Sequence, residues 1–453
     1  MRLNTRAGLV LIAGLMLAAS AALAQPAKAA GNNAQAPANS AAPAGKLPLD
    51  ELRTFVQVMH EIQANYVKPV KEKTLLQHAI SGMVGHLDPH SEYLDPEQFR
   101  EMSVTTSGQF GGLGIEVEQQ NGFIRVISPL DGTPAQKAGI KPGDLITRID
   151  DKAVKGMSLN QAVQMLRGNP GTKVKLTILR DGHDKPLHIT LTRANVRVQS
   201  VKSRLLQPGY GYLRITEFTG ETADGVSGAL KRLRKDNGGE LKGLVLDLRN
   251  NPGGVLDAAV NVADDFISHG VIVSMKGRTA DSDQTFNAKP GDKLGGAPMV
   301  VLINGGSASA SEIVAGALHD DHRALVAGTR SFGKGSVQTI MPLSNGAALK
   351  LTTARYYTPS GRSIQGEGIE PDIVINQLQV SGQQAAGYNP VKESDLAGAL
   401  SNDTGNESQV QASDRAHEAQ ANQREKLARN DYQLYEALQI LKGLVLSHTA
   451  GGA

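Results

Sequence analysis

The chain contains no cysteine and no tryptophan, and aromatic residues make up only 4% of its 453 residues. Without cysteine there can be no disulfide, no thiol nucleophile and no thiolate metal site. So few aromatics leave little surface on which the bases of single-stranded nucleic acid could stack. The formal net charge of +3 is too small to draw in a polyanion, so no nucleic-acid partner is expected. Long apolar runs are lacking too, apart from Ala7 to Ala24. That run follows Arg2 and Arg6 and closes with Ala22-Leu23-Ala24, a small-x-small pattern before Gln25. It reads as a signal peptide over residues 1–24, and hence as an exported protein. An uncleaved membrane anchor is the competing reading, for which the run is short and rich in Ala. Hydrophobic residues at 40% and charged residues at 20% suit a globular protein, and the length suits more than one domain.

Composition and periodicity divide the chain. Residues 25–46, rich in Ala, Pro, Asn and Gln, read as a disordered tether. Residues 47–103 read as a helical region, with Leu52, Phe55, Val56, Met59 and Ile62 at helical spacing. Over 104–195 short alternating segments and Gly-rich turns predict a small β-rich domain, with one helix over Leu159 to Leu166 behind Ser158. From 196 to 376 apolar strands alternate with helical patterns, the mark of an α/β core. Residues 377–413 are polar and read as a flexible linker, and 414–447 as a closing helical region. The fold class is therefore α/β (α+β multidomain), with helical N- and C-terminal flanks.

Two segments carry chemistry. Met299-Val-Val-Leu-Ile is a buried-type strand that runs into Asn304-Gly-Gly-Ser-Ala-Ser309-Ala-Ser-Glu312 and then a helix. Such small residues let a ligand approach backbone N–H groups, and a helix N-terminus favours negative charge. Ser309 is then a candidate nucleophile. It is equally the N-cap of a capping box, Ser309-x-x-Glu312. In the second segment, Ser331-Phe-Gly-Lys334-Gly-Ser-Val-Gln338, a Lys stands between glycines ahead of an apolar strand. Alternation puts Lys334, Ser336 and Gln338 on one face. A Lys acts as general base only if burial lowers its pKa, and no acidic residue lies between Thr329 and Asn345 to oppose that. Gln338 could hold the amine without charging it. A solvated surface Lys is the competing reading.

These motifs resemble the carboxyl-terminal processing peptidases, or tail-specific proteases, over about residues 47–447. The resemblance rests on Gly306-Ser-Ala-Ser-Ala-Ser-Glu-Ile, on Phe332-Gly-Lys-Gly-Ser-Val-Gln and on Asp247-Leu-Arg-Asn-Asn-Pro-Gly-Gly. It implies an exported serine endopeptidase in which Ser309 is the nucleophile, Lys334 the general base and Gln338 the residue that orients it. Ala310 N–H follows the nucleophile at the helix start and suits an oxyanion hole, with a second donor implied at Gly253 or Gly254. The domain at 104–195 looks like a PDZ domain, through Gly111-Gly112-Leu113-Gly114-Ile115 and the run Ala138-Gly-Ile-Lys-Pro-Gly-Asp-Leu-Ile146. Gly111, Gly112, Leu113, Gly114 and Ile115 would hold a peptide's terminal carboxylate, and Arg167 would relay binding to the core. The resemblance further implies periplasmic protein substrates with apolar C-termini, homo-oligomerisation, an adaptor protein, and no metal or organic cofactor. A protease at large in the periplasm is hazardous, so a resting state with Lys334 out of reach of Ser309 is expected.

Other readings compete. His319-Asp-Asp-His322 and His86-Leu-Asp88-Pro-His90 have the composition of metal or triad sites; the first reads as a helix exit and the second as a structural hinge. Ser331-x-x-Lys334 fits the signature of a penicillin-binding acyl enzyme, although Gly333 and Gly335 make a poor helix. A PDZ scaffold without catalysis is the third possibility.

Overall fold

The computed structural model describes residues 48–130, 132–379 and 424–450. The expected signal peptide and tether, and most of the expected linker, lie outside the described residues. The chain divides into two compact units, Met1–Leu75 and Leu76–Ala453. In the first, the helix Leu49–Asn65 has no buried residue, and Leu49, Leu52, Phe55 and Val56 are exposed.

In the second unit a largely parallel sheet forms the α/β core. Its strands run in the order Val201–Gln207, Tyr210–Ile215, Gly243–Asp247, Met299–Ile303, Leu325–Gly328 and Ile373–Val374. All neighbours after the first antiparallel pair are parallel. Both faces are covered, which is why Leu244–Asp247 and Met299–Ile303 are wholly buried rather than alternating. Leu244, Leu246, Met299, Val301 and Ile303 point to a core shared with the helices Thr222–Asn237, Leu256–Asp264 and Ala310–Asp320. Val245, Val300 and Leu302 meet Leu434, Ala437 and Leu441 of the closing helix Tyr432–Ala450 on the other face. Each such fully buried Leu or Val contributes about 1.5–3 kcal/mol of transfer free energy.

A second sheet is built around the long strand Ala348–Tyr357, which pairs with Glu92–Leu94, Ser336–Pro342 and Val271–Gly277. Its first member, Glu92–Leu94, is a short strand within the helical region 47–103. Asp88-Pro89 stops the helix Glu72–Gly85 from continuing, and Asp95-Pro96 caps the next one, Pro96–Ser107. Between them Glu92–Leu94 is free to join the sheet, with Tyr93 and Leu94 buried.

The β-rich domain has its own sheet and core. Ile115–Gln120, Phe123–Pro129, Leu145–Ile149, Lys173–Leu179 and Leu187–Thr192 pair in that order. The helix Leu159–Leu166 opens on a Ser158/Gln161 capping box and buries Ala162 and Leu166. Gln109–Gly112 and Ala194–Arg197 pair where the chain enters and leaves the domain.

Candidate active site

The strand Met299–Ile303 ends at the carboxyl edge of the parallel sheet, and the Ser-rich turn follows it into the helix Ala310–Asp320. Its three serines differ in what their hydroxyls do. Ser307 Oγ donates to Leu248 O at 2.8 Å, and Ser311 Oγ donates to Asn251 O at 2.9 Å. Both side chains are spent on fastening the turn to the neighbouring loop. Ser309 lies between them with φ 52° and ψ −110°, a strained backbone for a residue with a Cβ. Such strain costs of order 1–3 kcal/mol and marks a side chain that the surroundings hold in place. Of the capping box read from Ser309-x-x-Glu312, the Glu312 side chain accepts from Ser309 N–H, while Glu312 N–H donates to the Ser309 carbonyl at 2.9 Å. The Ser309 side chain is hydrogen-bonded to the phenol of Tyr356, which burial pushes up to about 12.

Glu312 does more than cap. It is fully buried, and four donors converge on it. Oε2 accepts from Ser309 N–H and from Lys334 N–H, each at 2.8 Å. Oε1 accepts from Gly333 N–H at 2.7 Å and Ser331 Oγ at 2.5 Å. The backbone nitrogens of Ser309 and Lys334 thus lie less than two hydrogen-bond lengths apart, bridged by one oxygen. The glycines beside Lys334 make room for this loop. A Cβ on Gly335 would stand 2.5 Å from Gln365 N, and Gly333 has φ +91°.

Lys334 is half-buried. Burial pushes its ammonium below the ordinary Lys range, the charge of Lys350 adds to this, and Glu312 opposes it. Among the described residues its side chain forms no hydrogen bond or ion pair, with Ser309 or with any other group. The Gln338 carboxamide is held by its own sheet. Its Nε2 donates to Ser336 Oγ at 2.9 Å and to Thr352 Oγ1 at 3.3 Å, not to Lys334. Ser336 and Gln338 do share a face, as alternation required, but they bond to each other and to the partner strand.

The loop Asn250–Gly254 leaves the adjacent strand Gly243–Asp247. Gly253 packs directly on the Ser-rich turn: a Cβ there would lie 2.9 Å from Ser309 Cβ and 3.0 Å from Ala310 N. Its N–H, however, donates to Asn251 Oδ1 at 2.9 Å. The N–H groups of Ala310 and Gly254 carry no hydrogen bond among the described residues. Behind the loop, Arg249 is clamped by Asp247 and Asp431, each at 2.7 Å from Nη2, which ties the closing helix to this edge of the sheet.

In the β-rich domain a cavity of about 90 Å³ lies between the strand Ile115–Gln120 and the helix Leu159–Leu166. Gly112, Leu113, Gly114 and Ile115 line it, with Val163 and Leu166 opposite. Gly111 stands beside it, so close to Gly168 that a Cβ would meet its carbonyl at 2.1 Å. Arg167, at the mouth, stacks its guanidinium 5.0 Å from the Phe110 ring centroid. Among the described residues it forms no hydrogen bond or ion pair with the α/β core.

The two His clusters part company. His319 pairs with Asp320 and Asp372, each at 3.0 Å, at the helix exit. Asp88 caps its own turn, accepting from His90 N–H and Ser91 N–H. No group of three or more such residues among those described could hold a metal. Ser331 is buried, with its hydroxyl donating to Glu312 and accepting from Ile369 N–H at 2.6 Å. Three residues of the site were not singled out from sequence: Tyr356, Thr352 and the buried Glu312 as a bridge. Only Glu312 left a trace there, as half of a capping box.

Comparison with known proteins agrees with this layout. Residues 209–375 match the model of Peptidase family S41, residues 111–191 that of the PDZ domain, and residues 9–98 that of the activating protease CtpB N-terminal domain. A carboxy-terminal-processing protease of Bartonella bacilliformis is 46% identical over 402 residues, covering 88% of this chain and 90% of that protein. The carboxy-terminal processing protease CtpA of Bacillus subtilis is 38% identical over 314 residues, 69% of this chain and 66% of its own. Among solved structures, the photosystem II D1 C-terminal processing protease is 32% identical, covers 72% of this chain and 93% of its own, and gives a TM-score of 0.42. The chain belongs to the carboxy-terminal-processing proteases of peptidase family S41, serine-type peptidases, and carries a PDZ domain.

Proposed function

We propose that the protein is an exported endopeptidase that grips the apolar C-terminus of a protein substrate in its PDZ groove and cleaves with Ser309 and Lys334. The observation that carries this is the shared Glu312 oxygen, which brings the backbones of both residues to one point. Neutral Lys334 takes the Ser309 hydroxyl proton as Oγ attacks the peptide carbonyl. The oxyanion is received by Ala310 N–H and, in this conformation, by Gly254 N–H, since the Gly253 N–H is engaged. The C–N bond breaks, the leaving amine takes the proton back from Lys334, and water activated by Lys334 releases the acyl group. Before the first step Ser309 exchanges its Tyr356 partner for the Lys334 amine. The lowered pKa of Lys334 supports its role as base. The Gly-rich loop and the cavity beside Leu166 support peptide capture as an added strand. Periplasmic location, an adaptor and homo-oligomerisation belong to the same reading; the apolar run Ala7 to Ala24 supports export.

The test is cleavage of an unstructured protein with apolar C-terminal residues by wild type and by Ser309→Ala, Lys334→Ala and Ser331→Ala. Loss of cleavage in the first two is expected. Wild-type cleavage by Ser309→Ala refutes the assignment. Ser331→Ala is expected to lose activity only through its contact with Glu312. If it alone were dead, the penicillin-binding-like reading would take over, against a hydroxyl already committed to Glu312 and Ile369. Inert wild type would favour the scaffold.

A further inference from the structure

The turn that precedes the strand Glu92–Leu94 reaches the Gln338 side chain through one residue. Asp88 Oδ1 accepts from Thr352 Oγ1 at 3.0 Å, and Asp88 Oδ2 accepts from Ser91 Oγ at 2.6 Å. Ser91 Oγ in turn accepts from Thr352 N–H at 3.1 Å, so both polar groups of Thr352 that face the turn are bound to it. Thr352 lies opposite Gln338 in the strand pair, and its Oγ1 receives Gln338 Nε2.

The direction of these bonds follows from chemistry. An ionised carboxylate only accepts, and a hydroxyl has one hydrogen. The Ser91 hydroxyl, two backbone N–H groups and Thr352 hold the Asp88 carboxyl below the usual carboxylate range against its partial burial. Thr352 must therefore give its hydrogen to Asp88, which leaves Oγ1 able only to accept from Gln338. The carboxamide is forced to turn its Nε2 toward Thr352 and Ser336. Its Oε1 accepts no hydrogen bond among the described residues and is left as a free acceptor. The turn also stands near the proposed base: burial and then the charge of Lys334 push His90 below the ordinary His range.

We propose that Asp88, acting through Thr352, is a positioning residue for the reaction: it sets which end of the Gln338 carboxamide is offered to the Lys334 amine. This rests on the reading of Lys334 as base and Gln338 as the residue that orients it. With Oε1 presented, Gln338 accepts from an N–H of Lys334 and leaves the amine lone pair for the Ser309 proton. With the amide reversed, Nε2 would face the amine and compete for that lone pair.

The experiment uses the full chain and the unstructured substrate, with kcat and KM measured for Thr352→Val, Thr352→Ser, Asp88→Ala, Gln338→Ala and the double variant Thr352→Val/Gln338→Ala. Thr352→Val and Asp88→Ala are expected to lower kcat by about tenfold or more with KM within about twofold, as neighbours in one network do. Thr352→Ser is expected to keep wild-type kcat, which separates the hydroxyl from packing. In the Gln338→Ala background Thr352→Val is expected to cost nothing further. Wild-type kcat in Thr352→Val overturns the proposal. So does a Thr352→Val loss that multiplies with that of Gln338→Ala, or a Thr352→Ser variant as impaired as Thr352→Val. Ser309→Ala and Lys334→Ala are run alongside. If they cleave normally, the underlying reading has failed; if they are dead while Thr352→Val is normal, only this inference has.

Discussion

Glu312→Gln is the substitution that most directly tests how the site is assembled. The change is nearly isosteric, but it replaces one acceptor oxygen with a donor. Four donors now meet the two carboxylate oxygens. A Gln amide offers them one oxygen. Its cheaper orientation turns the NH2 toward Ser331 and Gly333, because the Ser331 hydroxyl can rotate to accept whereas a backbone N–H cannot. Gly333 N–H is then orphaned in a buried place, at about 1–3 kcal/mol. The other bonds lose their charge assistance, at roughly 1 kcal/mol each. If about half of the resulting 3–6 kcal/mol appears as displacement of Ser309 from Lys334, kcat falls on the order of 100-fold. The pH profile moves as well. Glu312 raises the Lys334 pKa against burial and Lys350. Removing its charge lowers that pKa, so the acid limb of kcat/KM, where the base becomes neutral, shifts to lower pH while the plateau drops. The assay is kcat and kcat/KM against pH, with binding of an apolar C-terminal peptide as a control expected to be unchanged. A Glu312→Gln enzyme with a wild-type plateau, or with its acid limb moved to higher pH, would refute the reasoning.

Two further outcomes are expected. Lys350→Met removes a cation that helps push Lys334 down, so the acid limb of kcat/KM moves to higher pH, whereas Lys350→Arg leaves it in place. Asp431→Asn leaves the buried Arg249 with Asp247 as its one carboxylate partner, beside the Gln433 carbonyl, and is expected to cost about 1–3 kcal/mol in urea unfolding at neutral pH. Burial raises the Asp431 carboxyl, but the hydrogen bond and charge of Arg249 outweigh it and hold the group below its usual value. Its contribution is therefore full above the unfolded carboxylate pKa, about 3.9, and is lost as pH falls through the lower folded value. The Asn variant is expected to lose less stability than wild type over that acid window, and an equal loss would dissociate Asp431 from it.

What the sequence disclosed of the fold follows from periodicity. The helix Leu159–Leu166 lies behind Ser158 as read, and the short alternating segments around it form a β-sheet. The runs at 244–248, apolar but for Asp247, and at 299–303 lie in strands that are buried along their whole length. Glu92–Leu94 escaped because three residues carry no readable period; they form a strand only because Ala348–Tyr357 offers them an edge. The site was legible where local chemistry is unusual, as in a Ser-rich turn at a helix start or a Lys between glycines. It was illegible where a role depends on a distant partner. Nothing within the local sequence shows that Ser307 and Ser311 are spent on the carbonyls of Leu248 and Asn251, which leaves Ser309 as the one of the three whose hydroxyl is not tied to the neighbouring loop.

The same limit explains why the two carboxylates that organise the site were read as minor features, one as half of a capping box and the other as part of a hinge. Ser, Thr and Gln side chains can each point a hydrogen either way, so a network built from them alone has no fixed direction. A carboxylate ends that freedom, because every group that meets it must donate. Glu312 does this for backbone N–H groups, and so fixes where the loops carrying Ser309 and Lys334 lie. Asp88, 264 residues from its partner Thr352, does it for a hydroxyl, and so fixes which way an amide faces. Neither carboxylate needs to touch substrate to matter to the reaction. Position and polarity are separate requirements, and substitutions that spare one while breaking the other, Glu312→Gln at one end and Thr352→Val at the other, should fail in different ways: the first in the pH profile and the plateau together, the second in kcat alone.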